Sequence, residues 1–359
     1  MFKDLLTWYD NNRRILPWRE DPAPYHVWLS EIMLQQTRVE AVRSYYARFL
    51  ETLPDIASLA AADEDTYLKL WEGLGYYSRV RNLHKAAVQI MNDYDGRMPE
   101  TSAELKKLSG IGPYTAAAIA SIAFGERIPA VDGNLLRIFA RLTCYGQDIK
   151  APAAKKAAEA FYLEHFPETR AGDCNQALMD LGATVCVPNG APLCGECPWS
   201  DLCQAHREGS ELDFPYAAPK KDRRIEDRTV FLIYYDRRLV LGRRPSKGLL
   251  AGLYEFPNAL GRLSRSEALD YLSGLGFSAV RITELPKAKH IFSHIEWHMT
   301  GYEVLADEWK GFPEAAAGAE ASDHQPEGQN LFLATREEMQ HLYSIPSAFA
   351  AYRREIRFR

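Results

Sequence analysis

Apolar residues recur every three or four positions through most of the first 205 residues, in stretches such as VWLSEIMLQQTRVEAVRSYYARFL, TYLKLWEGL and RNLHKAAVQIM. That spacing lays an apolar stripe along a helix and predicts an all-α region over 1–205, nearly free of strand-like alternation. Helix starts are expected at Ser58 before LAAADED, and at Thr101 or Ser102 with Glu104 following. Small polar side chains there can accept from first-turn amides. QAHREGSELDFPYAAPKKDRRIED is charged, proline-bearing and without apolar period, which predicts a linker over 206–227. From Arg228 the period becomes two. TVFLIYYDRRLVLGRRP predicts a hairpin turning at Asp236–Arg238, and HIFSHIEWHMTGYEVLA a further hairpin strand. SRSEALDYLSGLGF reads as a helix, and TREEMQHLYSIPSAFAAYRREI as helical at both ends. KGFPEAAAGAEASDHQPEGQ has few apolar residues and predicts a mobile loop. Residues 228–359 therefore form a small α+β domain, so the chain is multidomain.

Composition narrows the class without naming it. Hydrophobic content of 47% and charged content of 25% are ordinary for soluble protein. No apolar run approaches the ~20 residues that span a bilayer, which excludes a membrane protein. The N-terminal MFKDLLTWYDNNRR lacks the apolar core of a signal peptide, so a reducing cytoplasm is expected. A net charge of −5 offers no bulk attraction to nucleic acid. Any such contact must rest on local patches and backbone donors.

Four of the six cysteines crowd into CVPNGAPLCGECPWSDLC, where Cys186, Cys194, Cys197 and Cys203 are separated by seven, two and five residues. A single close pair with outliers on both sides suits four thiolates around an iron–sulfur cluster. Zinc sites more often repeat the close pair, and disulfides fit poorly without a secretory signal. Cys144 and Cys174 lie in helical contexts and are expected to be buried thiols.

Two further patterns bear on chemistry. LSGIGPYTAAAIASIAF joins two helical segments through Gly110-Ile111-Gly112-Pro113. Such a turn can bring bare amides and the positive end of the next helix to a phosphate, or be only a tight helical connection. Glu31 interrupts an apolar segment, SEIMLQQT; it is either a solvated helix-face acid or a buried acid with a raised pKa. Asp132, in Val131-Asp132-Gly133-Asn134, stands just before a helix, where an aspartate is either an N-cap or a functional acid.

Together, LxxLxGIGxxTAxAI and the following VDGNLLRIFAR resemble the helix–hairpin–helix DNA glycosylase superfamily, and the cysteine tail resembles its iron–sulfur loop. SEIMLQQTRVEAV (30–42) and WEGLGYYSRVRNL (71–83) are similar to the MutY type of adenine DNA glycosylase. The resemblance runs through nearly all of 1–205. It implies a six-helix module at about 20–125, with the hairpin at 108–124, and an iron–sulfur module of 1–19 plus 126–205. The first cysteine gap is one residue longer than the family's usual one, an excess that a loop at Asn189–Pro192 can absorb. One 4Fe-4S cluster on Cys186, Cys194, Cys197 and Cys203 is the implied cofactor.

The same resemblance implies site roles. Glu31 would protonate adenine, Asp132 would stabilise the oxocarbenium ion or bond to it, and Tyr114 and Asn134 would support the two acids. Tyr114 stands where bifunctional relatives carry a lysine, so no abasic-site lyase activity is expected. Gln176 matches a reader of the adenine edge, and Arg14, Trp18 and Leu34 match other pocket positions. Gln36 and Tyr76 match wedges that fill the flipped-out base's place, and Gly110 and Gly112 match backbone contacts. Cys174 replaces an aromatic common in the family, with an effect expected on packing alone. GLLAGLYEFPN (248–258) and HIFSHIEW (290–297) resemble the family's Nudix-like C-terminal domain, in which Phe292, Ser293 and His294 would inspect 8-oxoguanine. SRSEALDYLSGLGF lacks the REUxEExG acids of a nucleotide-hydrolysing Nudix enzyme. The expected partner is double-stranded DNA with adenine opposite 8-oxoguanine or guanine, met by a monomeric, nucleoid-associated enzyme. The alternatives are a glycosylase for oxidised pyrimidine or mismatched thymine, and a non-catalytic iron–sulfur DNA sensor.

Overall fold

The computed structural model describes residues 1–218, 222–310 and 330–358. The expected mobile loop lies, beyond Lys310, outside the described residues. Two compact units emerge: Met1–Ala62 with Ser78–Lys220, and Asp63–Tyr77 with Lys221–Arg359.

Helices α1 (Phe2–Asn12), α2 (Pro17–Glu20), α3 (Pro24–Leu34), α4 (Val39–Thr52) and α5 (Ile56–Ala61) open the chain, and α6 (Glu64–Leu70) follows. The remaining helices of the first unit are α7 (Ser78–Asp93), α8 (Ser102–Leu105), α9 (Pro113–Phe124), α10 (Gly133–Thr143), α11 (Pro152–His165), α12 (Ala171–Thr184) and α13 (Gln204–Glu208). Apolar almost all round, α9 buries every residue from Thr115 to Ser121 and lies against α3, α8 and α12. Proline at the first helical position starts α2, α3, α9 and α11. A Cβ on Gly172 would sit 2.8 Å from the Ser121 carbonyl oxygen, so its bare backbone lets α12 close onto α9.

Three local expectations change. Ser58 does not start α5; Asp55 caps it, and Ser58 at the third helical position closes a reciprocal capping box. With two competent side chains three apart, the earlier one is the cap. Cys144 is only half-buried, at the left-handed C-terminus of α10 with φ 48°, whereas Cys174 is fully buried. Regular structure also enters the expected linker from both sides, through α13 and through the strand that begins at Arg224. At α8 the expectation stands, with Thr101 Oγ1 accepting from the Glu104 amide at 3.3 Å.

Among the described residues the second unit has seven strands: β1 (Arg224–Tyr235), β2 (Arg238–Arg243), β3 (Tyr254–Glu255), β4 (Asn258–Leu260), β5 (Phe277–Ile291), β6 (Ile295–Trp309) and β7 (Asn330–Ala334). The order is β3-β2-β1-β6-β5, with β4 on β1 and β7 on β2. β1 and β6 pair in parallel and every other pairing is antiparallel. The first hairpin turns at Asp236 and Arg237, both with positive φ, as a tight two-residue connection requires. Helix α14 (Arg265–Gly274) covers one face through Ala268 and Leu272 over Phe231, Ile233 and Val304. Trp297, Phe256, Phe349 and Tyr352 form the core of the other face, near α15 (Arg336–His341) and α16 (Ala350–Arg353). Helix α6 joins this unit: Lys69 pairs with Glu72 at 2.8 Å, and Glu72 in turn accepts from Arg353 and the Ile345 amide.

Candidate active site

Glu31 sits on α3 among Ser30, Ile32 and Met33, all buried, and is itself only 5% exposed. Its Oε2 accepts a hydrogen bond of 2.7 Å from the Tyr114 hydroxyl at the start of α9. Burial raises its pKa to about 7; the tyrosine bond opposes that shift, the Asp132 charge adds to it and Arg19 subtracts from it. An acid poised there can hold a proton near neutral pH and give it away.

Asp132 is the helix cap that its sequence position allows. As the N-cap of α10, its Oδ1 accepts from the Asn134 and Leu135 amides at 2.8 and 2.9 Å, while Oδ2 accepts from Asn134 Nδ2 at 2.8 Å. Burial raises its pKa and these bonds pull it back down. Asn134 is itself fixed, because its Oδ1 accepts from Arg137 Nη2 at 2.9 Å. Arg137 also donates to the carbonyls of Gly182 and Cys186. A Cβ on Gly182 would lie 2.6 Å from the Cβ of Asn134, so that glycine makes room for the supporting amide.

Both acids line one cavity of about 230 Å³ together with Arg14, Trp18, Leu34, Tyr114, Asn134 and Gln176. All eight belong to the first unit. Among the described residues Gln176 has no hydrogen-bond partner, leaving its donor and acceptor for a ligand. Arg14 is held by a group the sequence did not suggest. Buried Asp180 accepts from Arg14 Nε at 2.6 Å and from Arg19 at 2.7 and 3.0 Å. The signal was present: an acid in the apolar ALMDLGA stretch poses the same question as Glu31.

The other predicted positions lie outside this cavity. Gln36 (φ 58°) and Tyr76 (φ 48°) are exposed and hold left-handed backbone that such side chains seldom adopt. Gly110 needs its φ of 73°, and a Cβ there would meet Asn82 at 2.5 Å; Gly112 is exposed, caps α9 and has neither constraint. In the second unit, Phe292, Ser293 and His294 form the tip between β5 and β6. Phe292 packs edge-on to Trp297, while Ser293 and His294 are exposed. On α14, Glu267 is engaged in a capping box with Ser264.

Cys186, Cys194, Cys197 and Cys203 line one small cavity with Arg141, His206 and Glu211, and none is in a disulfide. Arg141 Nη1 lies 3.2 Å from the Cys186 sulfur. Four convergent soft donors beside a guanidinium suit an anionic thiolate-bound metal centre. The longer first gap bulges outward at Asn189–Ala191 while the Leu193 amide bonds back to the Val185 carbonyl.

A model described as HhH-GPD superfamily base excision DNA repair protein matches residues 29–162, and a NUDIX domain model matches 229–353. The adenine DNA glycosylase of Mus musculus is 34% identical over 85% of this chain and 70% of its own length. That of Buchnera aphidicola subsp. Schizaphis graminum is 35% identical over 86% of this chain and 88% of its own. The chain belongs to the adenine DNA glycosylase family. It is a base-excision-repair enzyme with a helix–hairpin–helix core and a Nudix-like C-terminal domain. A thermostable thymine-DNA glycosylase structure aligns with a TM-score of 0.52 at 28% identity, covering 57% of this chain and 94% of the other. An endonuclease III–DNA complex aligns at 0.50 and 21% identity over 58% and 94%, a likeness of fold.

Proposed function

We propose that the enzyme hydrolyses the N-glycosidic bond of adenine opposite 8-oxoguanine or guanine in double-stranded DNA, acting as a monomer. The observation that carries this reading is a buried and a half-buried carboxylate, each with its own fixed partner, lining one cavity with an amide side chain that has no partner among the described residues. With the adenosine extruded into that cavity, Glu31 gives its proton to a ring nitrogen, so the base leaves neutral. Asp132, its carboxylate held by three donors, faces the developing sugar cation, and water completes hydrolysis. Gln176 and Arg14 read the adenine edge, Trp18 and Leu34 wall the pocket, and Gly110 and Gly112 meet backbone phosphate. The strained backbone at Gln36 and Tyr76 supports their role as wedges in the vacated stack. Tyr114 cannot form an imine, so the abasic strand stays intact. The exposed Ser293 and His294, beside Phe292, are the readers of 8-oxoguanine.

Cys186, Cys194, Cys197 and Cys203 would hold one 4Fe-4S cluster, which when bound cross-links the 186–203 loop. The test is incubation with duplexes carrying one adenine opposite 8-oxoguanine, guanine or thymine, followed by alkali. Strand scission with the first two and not the third is expected; equal scission of all three, or scission without alkali, overturns the reading.

A further inference from the structure

Adjoining the base cavity lies a larger one, of about 650 Å³. The two share Arg14, Leu16, Arg19, Ile122 and Gln176 in their linings. Three elements contribute to both cavities. Along α9, Tyr114 lines the base cavity, Ile122 lines both, and Gly125, at the far end, lines only the larger. Along α12, Met179 and Ala183 line the base cavity, Gln176 lines both, and Gly172 and Asp173 line only the larger. In the α1–α2 connection Trp18 lines the first, Arg14 both, and Arg13 and Ile15 the second.

The hairpin glycines sit at the opposite end of α9 from Gly125. A 12-residue helix is about 18 Å long. Gly125, on the larger cavity, therefore lies about that far along α9 from the proposed phosphate contact. Its rim carries the planar guanidiniums of Arg13 and Arg170, the latter fixed by Asp10 and Asp173 at 2.6 and 2.7 Å. Guanidinium planes stack on flat neutral rings.

We propose that this cavity is the exit site for the free purine base: adenine leaves past Gln176 and Arg14 while the abasic duplex is still bound. The proposal rests on the smaller cavity being the base pocket. It gives the enzyme separate doors for its two products, so the base need not wait for the strand.

The test follows radiolabelled adenine from a duplex with adenine opposite 8-oxoguanine, using rapid filtration that retains protein–DNA complexes. Wild-type enzyme is expected to pass adenine into the filtrate while the DNA stays retained. Ile15 is 76% exposed on the rim, so Ile15→Trp narrows the exit and Ile15→Ala does not. Ile15→Trp is expected to slow adenine release by about tenfold or more, with its single-turnover excision rate unchanged; Ile15→Ala is expected to behave as wild type. Adenine that stays with the wild-type complex until the DNA dissociates overturns the exit route, whatever the variant does. So does a folded Ile15→Trp that releases adenine at the wild-type rate. Absence of excision altogether overturns the parent reading instead.

Discussion

Glu31→Gln is expected to stabilise the protein above neutral pH while disabling it. The substitution keeps the shape of the side chain and an oxygen for the Tyr114 hydroxyl, but removes the ionisable group. In the folded protein burial raises the Glu31 pKa from 4.5 to about 7, so the native state binds a proton that the unfolded chain has released. Stability from that proton is fully present below pH ~4.5 and is lost as pH rises through ~7. At about 1.4 kcal/mol per pKa unit, the wild-type protein forfeits up to about 3 kcal/mol by pH 9, and the glutamine variant forfeits nothing. For a unit of this size that is several degrees in Tm. The assay is thermal unfolding of both proteins from pH 4 to 9. The two Tm curves should converge at pH 4 and separate progressively in favour of the variant. A difference independent of pH would refute the claim that Glu31 is held protonated by burial.

Tyr114→Phe removes a donor that favours the Glu31 carboxylate, so the alkaline limb of the single-turnover pH–rate profile should move to higher pH; a downward move contradicts the assignment. Gly182→Ala puts a methyl 2.6 Å from the Cβ of Asn134, and excision should fall by about tenfold or more with duplex binding kept. Asp180→Asn leaves Arg14 and Arg19 without their buried anion, at a cost of about 3 kcal/mol or more, read as a lower Tm.

Much of the proposed site was legible because its residues break local rules. An acid in an apolar helix, an Asp-Gly-Asn turn before a helix, and paired glycines ahead of a proline each stand out against periodicity alone. What escaped was what depends on distant partners. Asp180 reaches Arg14 across 166 positions, and its spacing carries no trace of that pairing. The helical period of TYLKLWEGL could be recognised, but not which core α6 would join, because an amphipathic stripe does not name the surface that covers it. Capping went the same way at Ser58, where Asp55 competed for the role. The alternation after Arg228 revealed strands, yet the parallel pairing of β1 with β6 joins segments about 70 residues apart, beyond any local signal.

The central claim is that Glu31 and Asp132 act together on one extruded adenosine, and single-turnover excision of adenine opposite 8-oxoguanine tests it most directly. Wild type, Glu31→Gln and Asp132→Asn would be compared on the same duplex, with binding measured alongside. Both variants should bind the duplex as wild type does and excise at least about 10²-fold more slowly. Excision by either variant within a few-fold of wild type would contradict it.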